Sequence, residues 1–115
     1  MNSVEILEGA IETIKQGWVQ SSLAIDSSGK EVDPTDSAAV RWCILGSLRK
    51  AAQIDGDTWN HAFSSDLFPE WNRARQVLYD VLGMSLAEWN DRPGRIREDV
   101  LVVLNEALDK EKLTQ

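Results

Sequence analysis

The chain has 115 residues, 43% hydrophobic and 27% charged, a composition ordinary for a soluble globular protein with one core and unlike that of a disordered chain. Its 19 acids against 12 bases give a net charge of -7, which repels nucleic-acid phosphates, so direct DNA or RNA binding is not expected. A lone cysteine, Cys43, cannot form an internal disulfide; the start Met1-Asn2-Ser3-Val4-Glu5 lacks a secretory leader's basic and apolar regions; and no apolar run approaches a membrane span, so the chain reads as cytoplasmic.

Val4, Leu7, Ile11, Ile14 and Trp18 recur at spacings of three and four, which predicts a first helix capped near Asn2 or Ser3 and ending at Gly17. The stretch from Trp18 to Val32 then changes character. Leu23-Ala24-Ile25 and Lys30-Glu31-Val32 flank Asp26-Ser27-Ser28-Gly29, where Asp can bond its own turn and Gly accepts positive φ, so a short hairpin is expected over about 18–32. Asp33-Pro34-Thr35-Asp36 carries helix-start residues, and a second helix is predicted from there to Gln53. Its buried face should hold Val40, Cys43, Ile44, Ser47, Leu48 and Ala51, with Gly46 letting another element come close.

Asp55 to Pro69 contains no Lys or Arg and reads as a loop with one helical turn near Thr58 to Phe63, pinned by Trp59 and Phe63. Leu67, Trp71, Ala74, Leu78 and Val81 repeat the helical stripe, and Gly83 stands where a helix end favours a left-handed residue. Ser85-Leu86-Ala87-Glu88 matches a capping box and predicts a short turn of helix before Arg92-Pro93-Gly94. A last helix is expected from Arg95 to Lys110, with Ile96, Val100, Val103, Leu104 and Ala107 inward and a mobile tail over 112–115. The fold class is therefore mainly α: three main helices, short helical turns and a small β-hairpin in one domain spanning 1–115.

The candidate chemistry divides into site and scaffold. Cys43 could serve as a nucleophile only with a base, and the chain has one histidine, His61, which Asp26 or Asp91 could orient. Its place on an apolar stripe points instead to an inert packed thiol. No second His or Cys completes a zinc set, so no metal and no cofactor are expected. Asp26, Asp33, Asp36 and Asp91 could act as hydrolase carboxylates or bind a hard cation, but each also suits a turn or a helix cap. Arg92, Arg95 and Arg97 alternate with acids and read as a solvated, ion-paired helix start. Trp18 and Trp71 fit core stripes, whereas Trp42, Trp59 and Trp89 adjoin polar loop residues. A groove built from Gln20, Asp26, Trp42, Trp89, Asn90 and Asp91 would be the ligand site; the competing reading makes the same residues a fastening between loops and helices.

Several blocks resemble a domain family of unknown function found in bacterial, especially actinobacterial, and phage genomes. They are Gly17-Trp18-Val19-Gln20, Ala24-Ile25-Asp26 with Gly29, Asp36 with Ala39, Trp42-Cys43 with Gly46, Asn90-Asp91-Arg92-Pro93-Gly94, and Glu98-Asp99-Val100. Ser21 stands where the family pattern would place Gly, and Ile96 where it would place Thr. The resemblance implies a shared fold and a phage or mobile-element context, and no reaction, substrate or cofactor.

Three functions are consistent with these residues. The first is a non-catalytic acidic interaction protein that meets a basic protein partner, motivated by seven acids and two bases in residues 1–40. The second is a small-ligand binder using the Trp, Asn and Asp groove. The third is a small enzyme using Cys43 or the aspartates.

Overall fold

Asn2 starts the first helix with both halves of a capping box, its side chain accepting from the Glu5 amide at 2.8 Å while the Glu5 carboxylate accepts from the Asn2 amide at 2.9 Å. The computed structural model describes residues 1–57 and 68–114. Helix α1 (Ser3–Gln16) runs to Gly17, as its stripe predicts, and buries Ile6, Leu7, Ala10, Ile11 and Ile14. A two-stranded antiparallel sheet follows, made by β1 (Ala24–Ile25) and β2 (Arg41–Trp42) with Ala24 opposite Trp42 and Ile25 opposite Arg41. Helices α2 (Ile44–Ala52), α3 (Pro69–Leu82), α4 (Leu86–Asn90) and α5 (Arg97–Thr114) complete a mainly helical fold. Among the described residues, no helix is long and apolar enough to cross a membrane. The helical turn expected near Trp59, His61 and Phe63 lies outside the described residues.

Helix α1 is central, touching α2, α3 and α5. Ile44 and Leu48 of α2, Trp71, Ala74 and Leu78 of α3, Leu86 and Trp89 of α4, and Val100, Leu104 and Ala107 of α5 close around it in one core. Each Leu or Ile fully buried there stabilises the fold by about 1.5–3 kcal/mol, which offsets the entropy of ordering these short elements. Gly83 ends α3 at φ 71, the left-handed conformation expected of it.

The second helix corrects the sequence reading. Residues 33–40 do not extend it, because their aspartates bond their own backbone: Asp33 Oδ2 accepts from the Thr35 amide at 3.0 Å and Asp36 Oδ1 from the Ala38 amide at 2.8 Å. Such i to i+2 bonds stabilise turns at the expense of helix. The chain is then extended through β2, so Trp42 lies in a strand and Cys43 becomes the N-cap of α2. The expected turn at Asp26 is present, with Gly29 at φ 87 and Ile25 bridged to Glu31, but the regular strand partner of β1 is Arg41–Trp42. Val40 and Ile96, expected to face inward, are exposed.

Close approach fixes where the sheet meets the helices. A Cβ at Gly46 would sit 2.0 Å from the Leu23 carbonyl oxygen, so the backbone entering β1 lies directly on the first turn of α2. The approach expected at Gly46 is thus made by Leu23. A second, smaller core of Ala24, Ala39 and Trp42 sits beneath the sheet, where the Trp42 Nε1 donates to the Pro34 carbonyl at 2.9 Å.

Helix α5 continues past Lys110 to Thr114, and the cause is Glu111. This carboxylate is fully buried and takes a two-point bond from Arg73 of α3, with Nε to Oε2 at 2.9 Å and Nη2 to Oε1 at 3.0 Å. The Thr114 hydroxyl also donates to it at 2.7 Å. Arg73 above all, against the opposing effect of burial and with help from Thr114 and Ser3, holds its pKa down at about 2 rather than 4.5. Because the folded pKa is depressed, the stabilisation is complete above pH 4.5 and is lost as the pH falls towards 2. Glu111→Gln should therefore destabilise the protein by about 2 kcal/mol at neutral pH, the half-exposed guanidinium limiting the effect. Urea unfolding of both proteins should show that difference shrinking between pH 4.5 and 2, and a pH-independent difference would refute the assignment.

Candidate functional site

Asn90 is the last residue of α4 and is completely buried. Its Oδ1 accepts from the Trp18 indole Nε1 at 2.8 Å and from the Ile44 amide at 3.0 Å. Its Nδ2 donates to the Val19 carbonyl at 3.2 Å and to Asp91 Oδ1 at 2.9 Å. A carboxamide has two donors and room for two acceptor bonds, so this side chain is saturated. Three separate stretches of chain meet on it: the exit from α1, the start of α2 and the end of α4.

Gln20 and Asp91 extend the cluster. The Gln20 Nε2 donates to the Asn90 carbonyl at 3.0 Å and to the Arg92 carbonyl at 2.9 Å, bringing residues 20 and 90–92 together. Asp91 Oδ1 also accepts from the Ser21 amide at 2.9 Å. Ser21 makes that bond with a backbone φ of 69, the left-handed region that glycine enters at least cost.

Of the six residues assigned to the site by sequence, Gln20, Asn90 and Asp91 converge directly. Trp89 adjoins them with its ring buried, and the Arg95 guanidinium lies over that ring, 3.8 Å from its centroid. The Arg95 Nε donates to the Trp89 carbonyl at 3.0 Å, so this arginine belongs to the fastening rather than to a solvated helix start. Trp42 points to Pro34, away from the cluster. Asp26 is in its own turn, with Oδ1 accepting from the Ser28 amide, the Ser28 hydroxyl and the Lys30 amide. The Ser28 hydroxyl first and the Lys30 amide next lower its pKa, burial opposing them.

One member of the cluster, Trp18, and one separate buried pair were missed by sequence. Trp18 was placed in the core for its ring alone, although an indole N–H near a buried amide was a usable signal. Arg49 pairs with Asp33, Nη2 to Oδ1 at 3.2 Å, and its Nε donates to the Ile54 carbonyl at 3.3 Å. Burial works against the charge on Asp33, but Thr35, Arg49 and the Gly56 amide together keep its pKa below the usual carboxylate value.

A cavity of about 190 Å3 opens beside the cluster, lined in part by Leu23, Cys43, Asn90 and Asp91. The Cys43 thiol is buried and its sulfur accepts from the Gly46 amide at 3.3 Å. Burial pushes its pKa up and the Asp91 carboxylate adds to that, which favours the weakly nucleophilic protonated form. His61, the only imidazole considered as a base for it, lies outside the described residues. No group of three or more His, Cys, Asp or Glu side chains among the described residues is arranged to hold a metal ion.

Two substitutions test this geometry. Asn90→Ala would leave the Trp18 indole and the Ile44 amide without their acceptor, and should cost about 3 kcal/mol in urea unfolding. A cost below about 0.5 kcal/mol, the range of an ordinary surface change, would show that the network is not structural. Ser21→Gly should instead raise stability by up to about 1 kcal/mol, since glycine avoids the left-handed cost. A lower melting temperature for that variant would contradict the strain.

The Asn90 cluster and all of the fold before the last turn of α5 lie within one family match. A model of a family of unknown function, DUF6197, matches residues 1–110, and the chain belongs to that family. No curated protein and no solved structure matches it.

Proposed function

We propose that this member of the DUF6197 family is a non-catalytic, acidic interaction protein that binds a basic surface on a partner protein. The observation that carries the reading is the outer face of α1, where Glu5, Glu8 and Glu12 are all exposed at spacings of three and four and therefore stand in one row. Lys15 pairs with Glu12 at 3.3 Å in an exposed ion pair, while Glu8, and Glu5 apart from its bond to the Asn2 amide, have no cationic partner among the described residues. The net charge of -7 reinforces the local field and would speed encounter with a cationic surface. A phage or mobile-element context, implied by the resemblance, suits a small acidic protein acting on a host protein.

Ligand binding at the Gln20, Asn90 and Asp91 cluster is the second reading, favoured by the adjacent cavity. Its volume of about 190 Å3 falls below the roughly 300 Å3 at which ligand pockets begin, and Asn90 has no hydrogen-bonding capacity left to offer a ligand. The acidic face therefore ranks first.

Charge reversal separates the two. Glu8→Lys with Glu12→Lys leaves the Asn2–Glu5 cap intact and should change stability by less than about 0.5 kcal/mol. Immobilised wild-type chain should retain a specific basic protein at low salt and release it as salt shortens the screening length to a few ångströms. The doubly reversed chain should retain none of it. Identical retention by both chains, or retention insensitive to salt, would overturn the reading.

A further inference from the structure

A further cavity lies between the end of α1 and the Asp26 turn. It measures about 590 Å3, against about 190, 200 and 290 Å3 for three others, and falls within the span of small-ligand sites. Arg41 and Asp26 line it together with Ile25, Val40 and Gln16.

Hydrogen-bond accounting shows what these groups have free. Asp26 uses Oδ1 for three bonds within its turn, at 2.6 to 3.0 Å, and Oδ2 makes none among the described residues. That turn holds the carboxylate in place while leaving one oxygen for a donor. The Arg41 guanidinium is exposed and has no hydrogen-bond or ion-pair partner among the described residues. Its stem is nonetheless positioned, because Gly17 leaves open the space next to it: a Cβ there would stand 2.9 Å from the Arg41 Cγ and 2.4 Å from the Val40 carbonyl oxygen. The register of Arg41 with Ile25 fixes the backbone on both sides.

An unpaired cation, a carboxylate fixed by its own turn and apolar residues around one cavity make a complementary frame for a molecule with the reverse arrangement. We propose that this cavity binds a small zwitterion of the amino-acid or short-peptide class, its carboxylate on the Arg41 guanidinium, its ammonium on Asp26 Oδ2 and an apolar side chain against Ile25 and Val40. Guanidinium suits a carboxylate because its fork of N–H groups can donate two parallel bonds. A simple anion would meet Asp26 and a simple cation would meet Arg41, so a ligand bearing both charges is selected over either. The site does not depend on the acidic face of α1.

The test uses the full chain, isotopically labelled, with alanyl-leucine as probe and two blocked forms, N-acetyl-alanyl-leucine and alanyl-leucine amide. The free dipeptide should shift the amide resonances of Ser27, Gly29 and Arg41 saturably in the millimolar range. Each blocked form, lacking one charged contact, should bind about tenfold or more weakly. Arg41→Gln should abolish the preference for alanyl-leucine over its amide. Asp26→Asn keeps an oxygen for the turn and should abolish the preference over the acetylated form. Should Asp26→Asn disturb folding, Arg41→Gln alone decides the matter, since its side chain keeps the Cγ and removes only an unpaired head group. Absence of a saturable shift, equal binding of the three probes, or shifts unchanged in Arg41→Gln would overturn the proposal.

Discussion

A carboxamide sealed from water must find partners for two N–H groups and two lone pairs, or the fold loses the free energy of each unmade bond. Asn90 finds all four, and they come from an indole, a helix-start amide, a carbonyl and a neighbouring carboxylate. Because those partners belong to the segment after α1, the start of α2 and the end of α4, their relative positions are set by one side chain. The short helix α4 has five residues, too few to be stable alone, and its place depends on this anchorage and on the burial of Leu86 and Trp89. The two turns that flank the sheet entrance depend on it in the same way, through Gln20 and the Ser21 amide.

The helices were legible where periodicity and caps agreed. Asn2, Gly17, Gly83 and Ser85 each stand at the boundary that their chemistry predicts, the Ser85 hydroxyl accepting from the Glu88 amide at 3.3 Å. Residues 33–42 were misread because the residues that begin helices also form turns: Asp33 and Asp36 here bond amides two residues on, and the pairing of Arg41–Trp42 with Ala24–Ile25 holds the chain that follows extended. That pairing is non-local and leaves no periodic trace in two-residue strands. For the last helix, the signal was half present. Asp99 Oδ2 accepts from the Ile96 amide at 3.1 Å, but Ile96 has no side-chain acceptor to complete the cap, so the helix begins at Arg97 and Ile96 turns outward.

Of the six residues that the sequence grouped as a site, the structure brings only some together. Gln20, Asn90 and Asp91 meet, while Trp42 and Asp26 face elsewhere, and nothing in spacing alone could separate them. Buried charges were the least visible. Glu111 sits in a polar C-terminal stretch and Arg49 in the last turn of α2, where a basic residue ordinarily answers the helix dipole. Both instead bridge elements, Glu111 to Arg73 and Arg49 to Asp33, and pairing of this kind is what permits an ionised group to be buried.

Polar groups in this protein thus fall into two sets that residue type does not distinguish. One set is spent internally: Asn90, Asp33 and Glu111 have their capacity taken by other parts of the chain, and a ligand could engage them only by displacing those bonds at a cost of about 1–3 kcal/mol for each group left unpaired. The other set is unspent among the described residues, as with the Arg41 guanidinium and the second oxygen of Asp26, whose carboxylate is fixed through its first oxygen. Binding to the second set carries no such displacement cost, and a carboxylate already fixed by its turn loses little entropy on association. The Asn90 cluster therefore resists a ligand for the same reason that it fastens the fold: its hydrogen-bonding capacity is already taken by the chain itself.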